Sequence, residues 1–413
     1  MKGTTCTIKG IILLMLGICP LLIFAGAMQT ETFNVKVEQP ENGTLRINPP
    51  IPDSGMVDKE TILTLTAVPA DGYAFDSGYY YNPGEGMWRM YYESMTPEFK
   101  VTVDRNKVVG ASFIENEALK GFTVIQDVVY AQPGVKKLKY DVYTPEGAQN
   151  LPCIIIVHGG GWAANTEDIM RGLARELVKT GKYVVFSIDY RWIGNRDGDQ
   201  EANSMANLIE DVYGAIAHIQ EHAAKYGGDP TRLAITGDSA GGHLSAAAIN
   251  MANMIGDGGF GVKEGVFEYK PTYMPSDKSI TQLRKEITAA LQVAAPSYGV
   301  FNGDLLRRFT GDHPESWLKA ISPIDHIPDI KERAVPQLLL RGTADMLIRN
   351  EPVQQYADSL KAAGQTVKYV QVEGANHAFF DWKPDSGTKA TFAKYGVPYA
   401  AEMVSFFDAV FYK

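Results

Sequence analysis

Cysteine is scarce in this chain: three occur in 413 residues, and only Cys153 lies beyond the first twenty. With Cys6 and Cys19 in the leader, no internal disulfide can form downstream, so the fold must rest on its core even in an oxidising compartment. No Cys/His grouping has zinc-ligand spacing, and no metal is expected from that source. Basic charge is also in deficit. The formal net charge is -9, and no run of five Lys/Arg occurs, so the electrostatic footprint of a nucleic-acid binder is missing and no nucleic-acid partner is expected. What remains is ordinary globular material, 45% hydrophobic and 21% charged, long enough for about two or three units.

Long apolar runs are confined to the start. Lys2 and Lys9, an apolar stretch from Ile11 to Phe24 and then Ala25-Gly26-Ala27 read as a secretory signal peptide over residues 1–27, cut before Met28. The run is short for a bilayer core of about 30 Å, so no stable membrane insertion is expected and a secreted or periplasmic protein is. Lipid attachment at Cys19 is the lesser alternative, because Ile18 rather than a small residue precedes it.

Residues 28–115 alternate. Phe33, Val35 and Val37 share a face, Asn42-Gly43 is a hairpin-type pair, "TILTLTAVP" is β-rich, and Phe99, Val101 and Val103 alternate again before a turn over 104–107. Tyr79, Tyr80, Tyr81, Trp88, Tyr91 and Tyr92 crowd one stretch of this β-rich unit; they are expected to pack it, with a sugar-stacking face as the alternative. The order "NGTL…TLTAVPADGYAF…FKVTVDRNKVVGASF" resembles the divergent internalin-type B-repeat modules, which implies a β-grasp fold with an adhesive or spacer role.

From residue 116 onward the texture changes. "KLKYDVYTP" turns Leu138, Tyr140 and Val142 inward as an antiparallel edge hairpin would, and "CIIIV", "YVVFSI", "LAIT", "QLLL" and "VKYVQV" follow as short continuous apolar runs, most with helical stretches between. Such runs imply parallel strands buried on both faces, hence an α/β unit over 116–413. Leu208, Val212, Ile216, Ile219 and Ala223 mark one helix by their spacing. A long insert over 257–286 is expected to border the substrate pocket.

"RLAITGDSAGGHL" reads as strand, tight turn and helix, with Ser239 at the turn and Gly237 and Gly241 where side chains would collide. "IIIVHGGGW" follows another buried strand, and its glycines can turn amides toward a developing oxyanion: Gly160, Gly161 and Ala240 are the expected donors. A phosphate loop is the alternative, but neither phosphate-binding glycine pattern is present. A serine needs a base, and the base an acid. Asp345 in "RGTADMLI" and His377 in "EGANHAF" each follow a buried run, in the chain order serine, acid, histidine. Among the rivals, His158 is expected to brace the glycine loop, His243 is tied to the turn, and His218 and His222 are expected to be part-exposed on a helix. His313 and His326 sit in loops, and Asp238, Asp325 and Asp381 are weaker acids for the role. Trp162, Phe379, Phe380 and Trp382 lie near the oxyanion loop and the histidine; Trp162, Phe379 and Trp382 are pocket candidates, with two of the four expected to be core.

Together "HGGGW", "YGGDPTRLAITGDSAGGHL", "RGTADMLI" and "EGANHAF" resemble the α/β-hydrolases of the hormone-sensitive-lipase-like and feruloyl/acetyl carbohydrate-esterase kind, over about Phe122 to the C-terminus. The resemblance implies a serine carboxylester hydrolase with Ser239, Asp345 and His377 as triad. Two-step acyl transfer by such a triad calls for no metal or organic cofactor, and a secreted esterase joined to an adhesive β unit is expected to act on an acylated carbohydrate such as acetylated or feruloylated xylan. Two other readings compete. A prolyl-oligopeptidase-type exopeptidase shares the hydrolase unit but usually carries a propeller, and no blade-length repeat of about 40 residues is present here. A catalytically dead hydrolase used for adhesion would not need an intact triad.

Overall fold

The computed structural model describes residues 30–84 and 89–413. The leader assigned to residues 1–27 and the aromatic Trp88 lie outside the described residues. Among the described residues no helix is long and apolar enough to cross a membrane.

Eight strands precede residue 116: β1 (Thr32–Val37), β2 (Gly43–Asn48), β3 (Met56–Asp58), β4 (Ile62–Pro69), β5 (Tyr73–Tyr81), β6 (Tyr92–Ser94), β7 (Glu98–Thr102) and β8 (Lys107–Glu115). They form two sheets, ordered β3-β1-β8-β5-β6 and β2-β4-β7. Val35, Leu63, Leu65, Phe99, Val101 and Val109 from both sheets share one buried cluster, as strands with one apolar face each require. One turn differs from its local reading. Asn42 does take the left-handed φ of 64° that a hairpin pair favours, yet β1 and β2 lie in different sheets, and the turn over 104–107 likewise carries β7 of one sheet into β8 of the other. Turn chemistry fixes the reversal, whereas burial of the apolar face chooses the partner strand. Among the described residues before 116 no helix lies across either sheet, so the β-grasp likeness finds no support.

After a short turn of helix at Asn116–Leu119, eight strands make a third sheet: β9 (Phe122–Ala131), β10 (Leu138–Pro145), β11 (Leu151–Val157), β12 (Val184–Ile188), β13 (Gly228–Asp238), β14 (Leu291–Ser297), β15 (Gln337–Gly342) and β16 (Val367–Val372). Their order is β16-β15-β14-β13-β11-β12-β10-β9. Strand β10 runs antiparallel to both neighbours and the remaining pairings are parallel. This is the α/β-hydrolase sheet. Ile154, Ile155, Ile156 and Val157 are fully buried, which is why β11 reads as an unbroken apolar run rather than an alternation. Strands β12 and β13 sit on opposite sides of β11, so the chain reverses its progress across the sheet there, and the carboxyl ends of β11 and β13 border the crevice that such a reversal opens.

Helix Met205–His222 begins at Ser204, whose hydroxyl caps Asn207 in a capping box, and it buries Leu208, Val212, Ile216, Ile219 and the following Ala223 as their spacing predicts. His218 departs from the expected exposure. It is buried, with Nδ1 2.9 Å from the Tyr140 hydroxyl, and burial lowers its pKa to about 4. The cause is the insert, whose Tyr273 packs on the His218 ring at 4.7 Å and so covers that helix face.

The two units meet through a buried ion cluster. The Asp76 carboxylate, fully buried on β5, accepts from Arg175 Nη2 at 2.8 Å, from Arg171 Nε at 3.2 Å and from the Trp382 indole at 2.9 Å. Glu93 adds a 2.6 Å pair to Arg171 Nη2. Burial alone would raise the Asp76 pKa; Arg171 and Arg175 outweigh it and hold the carboxyl well below its ordinary range. Removing one partner of such a network strands buried charge and typically costs about 3–5 kcal/mol.

Candidate active site

Ser239 sits between β13 and helix Ala240–Asn250 with φ 51° and ψ -113°, a conformation that costs a non-glycine residue roughly 1–3 kcal/mol. The surroundings enforce it: the Ser239 N–H donates to Ser297 O at 3.0 Å and its carbonyl accepts from His243 N at 3.1 Å. The flanking glycines are sterically required. A Cβ on Gly241 would lie 1.9 Å from Val157 O, and one on Gly237 would lie 2.5 Å from Val157 O and Gly241 O. The β11 backbone therefore presses against the elbow, and nothing larger than glycine fits.

His377 bridges the serine to the acid. Its Nε2 lies 2.9 Å from Ser239 Oγ and its Nδ1 lies 2.8 Å from Asp345 Oδ2. The other carboxylate oxygen of Asp345 accepts from the amides of Leu347 and Ile348, each at 2.8 Å. Burial alone would raise the Asp345 pKa; the His377 hydrogen bond and charge, with those amides, outweigh it and hold the carboxyl below its ordinary value. An ionised Asp345 fixes the imidazole with its proton on Nδ1 and leaves Nε2 free to accept from the serine. The two loops are also laced together. Thr343 N donates to Val372 O at 2.9 Å, Ala344 N to Ala375 O at 3.0 Å, and Gly374 N to Thr343 Oγ1 at 2.8 Å. Buried Arg341 pins the acid loop through Asp345 O and Ile348 O.

The glycine loop leaves β11 beside the elbow, since Val157 pairs with Gly237. Gly159 N donates to the Asp238 carboxylate at 2.6 Å, which explains why Asp238 faces away from the serine; burial and the Asp381 charge push the Asp238 carboxyl up. Gly160 and Gly161 take φ 122° and 61°, and among the described residues their N–H groups meet no acceptor. Ala240 opens the helix, where backbone amides lack intrahelical acceptors and the dipole favours negative charge. These three amides are free to receive an oxyanion. His158 braces the loop as expected, stacked on Tyr190 at 4.2 Å with Nε2 3.2 Å from Asp189.

The pocket candidates divide. Trp162 is buried and donates its indole N–H to His243 Nδ1 at 3.2 Å, while His243 Nε2 faces Ile321 O at 2.9 Å; burial lowers the His243 pKa to about 4, so it is no rival base. Phe379 and Phe380 are core, packed with Tyr298, whose ring edge also supports His377 at 4.9 Å. Trp382 belongs to the joint with Asp76 rather than to a pocket. In the insert, Thr272 N donates to Glu210 O at 3.1 Å and the Tyr269 hydroxyl to Ala320 O at 2.6 Å, while Phe309, half-exposed, sets its ring 5.0 Å from Trp162 beside the oxyanion loop. Phe309, Tyr298 and Arg341 carried no signal as isolated letters. Only Arg341 lies inside a motif quoted above, as the first letter of "RGTADMLI".

Ser239, His377, Asp345 and the amides of Gly160, Gly161 and Ala240 thus share one crevice of an α/β-hydrolase sheet, a geometry suited to acyl transfer. The BD-FAE family model matches residues 140–360, and the chain belongs to that family. It is similar to the esterase LipQ of Mycobacterium tuberculosis, 29% identical over 61% of this chain and 56% of that one, and to the carboxylesterase NlhH of the same organism, 32% identical over 32% of this chain and 40% of that one. The chain therefore spans about half the length of the relatives it matches. Among solved structures, the thermophilic esterase Est2 of Thermogutta terrifontis is 25% identical, with a TM-score of 0.51 over 70% of this chain and 92% of that one. A truncated carbohydrate esterase from gut microbiota shares the fold at 21% identity and a TM-score of 0.52, over 70% of this chain and 95% of that one.

Proposed function

We propose that the chain is a carboxylic ester hydrolase, exported through the leader at residues 1–27, that removes acetyl or feruloyl groups from plant-type polysaccharide or oligosaccharide. The observation that carries the chemistry is the continuous Ser239–His377–Asp345 relay beside unengaged glycine amides. Ser239 Oγ attacks the ester carbonyl while His377 Nε2 takes its proton. The amides of Gly160, Gly161 and Ala240 receive the oxyanion, each contributing about 3–4 kcal/mol of barrier reduction. His377 then returns the proton to the leaving alcohol, and water releases the acyl group by the same route.

The carbohydrate reading is supported by exposed aromatic side chains, which can stack on sugar rings. Phe309 is half-exposed over Trp162, and on the N-terminal unit the exposed Tyr92 stacks on Tyr80 at 4.7 Å. Release of acetate and ferulate from acylated xylo-oligosaccharides, compared with p-nitrophenyl acetate and with peptide amides, tests both levels. Faster cleavage of the peptide amides would favour an exopeptidase, and turnover of the simple ester alone would remove the carbohydrate assignment.

A further inference from the structure

Asp127 on β9, Asp141 on β10 and Glu167 in the turn of helix Glu167–Met170 offer carboxylate oxygens that lie within 4.8 Å of one another. Asp141 Oδ1 accepts from Asp127 N at 2.9 Å, but Asp141 Oδ2 and Glu167 Oε2 accept no hydrogen bond. Both of those side chains are buried, at 1% and 0% exposure. One ammonium faces the group: Lys139 Nζ contacts Asp127 and lies 3.0 Å from Glu167 Oε1, outside hydrogen-bond alignment. Asp168 and Asp189 add further negative charge around Glu167. Against these three carboxylates Lys139 is the one cation in ion-pair contact among the described residues. Buried carboxylate oxygens without donors are retained only when protonated or when a cation meets them.

We infer that Asp127, Asp141 and Glu167 bind a hard divalent cation of the calcium class, which takes the centre now faced by the Lys139 ammonium. The donors are all oxygen, which excludes the softer metals that prefer imidazole or thiolate. Three anionic ligands on a rigid strand pair and a helical turn suit the adaptable shell of calcium better than magnesium, which keeps its waters and a strict octahedron. Lys139 is part-exposed and can swing its ammonium to solvent. The ion would anchor Glu167, which follows the glycine loop in the chain and whose carbonyl is held by Ser187 Oγ at 2.8 Å. Binding stands apart from the esterase reading; only an effect on rate would depend on it.

The test uses the full chain stripped with EDTA, titrated with calcium chloride by calorimetry and followed by thermal unfolding. One equivalent binds, and Tm rises by about 2 °C or more at a hundredfold excess over Kd. Glu167→Gln and Asp141→Asn abolish that rise, while Lys139→Met, which removes the competing ammonium, tightens binding by about tenfold or more. Absence of heat and of any Tm shift in both the wild type and Lys139→Met would overturn the site. Binding by Lys139→Met alone would also overturn it, because the ammonium would then hold the centre in the native chain, and equal affinity for magnesium would overturn the choice of ion.

Discussion

His377 and Trp382 stand on one loop and are held in opposite ways. The imidazole is fixed within the hydrolase unit, between Asp345 and Ser239, by contacts whose protons must move during turnover. The indole is fixed across the joint by Asp76 of the N-terminal unit, in a cluster with Arg171, Arg175 and Glu93 whose charges must stay put. The labile network thus sits five residues before a charge-paired one on the same loop. Through Trp382 the β unit thus holds a residue five positions after His377.

That comparison can be broken most severely at the serine. Ser239→Ala should lower turnover on the order of a million-fold while leaving the unfolding midpoint unchanged, because the joint is untouched; a large loss of stability would mean that the elbow hydroxyl has a structural role. Gly160→Ala comes next. Its Cβ would lie 2.2 Å from Ala164 O on a backbone with φ 122°, so the loop must move and the rate should fall by about a hundred- to a thousandfold, with KM for p-nitrophenyl acetate little altered.

Cutting the joint should reverse the balance between rate and stability. Asp76→Ala should cost about 3–5 kcal/mol in denaturant unfolding, with a smaller loss of rate and faster amide exchange over residues 378–392. Unchanged exchange there would separate the joint from the loop. The pH dependence has a defined sign. Because the Asp76 pKa is depressed in the folded chain, its contribution is complete above the ordinary carboxylate value of about 4 and is lost only as pH falls below it. Asp76→Ala should therefore flatten the acid limb of the stability profile.

The mildest change is His243→Gln. It should reduce stability by about 1–2 kcal/mol through its two buried partners. The pH–rate profile should keep its shape, since burial holds that imidazole at about 4 and it is already neutral where His377 works.

The site was legible in the sequence because its parts are local. Ser239 lies inside a strand-turn-helix pattern, the glycine loop ends a buried run, and Asp345 and His377 each follow a strand. The parallel sheet was legible for a similar reason, since strands buried on both faces lose their alternation. The joint left no trace, because Asp76 meets Arg171 and Trp382 across sequence separations of 95 and 306 residues, and no periodicity links such positions. Closeness to His377 in sequence points Trp382 to the pocket, whereas its indole bonds Asp76. His218 reads as part-exposed because nothing in its helix spacing reveals the insert that covers it, and Asn42-Gly43 reads as a hairpin because turn residues fix the bend without naming the partner.

The central claim is that Ser239 is a base-activated nucleophile. Labelling the folded chain with a fluorophosphonate and locating the adduct by mass spectrometry tests it most directly. The account predicts one stoichiometric adduct on Ser239, lost in His377→Ala while the fold persists. A native chain that takes up no label, or carries it on another residue, would contradict it.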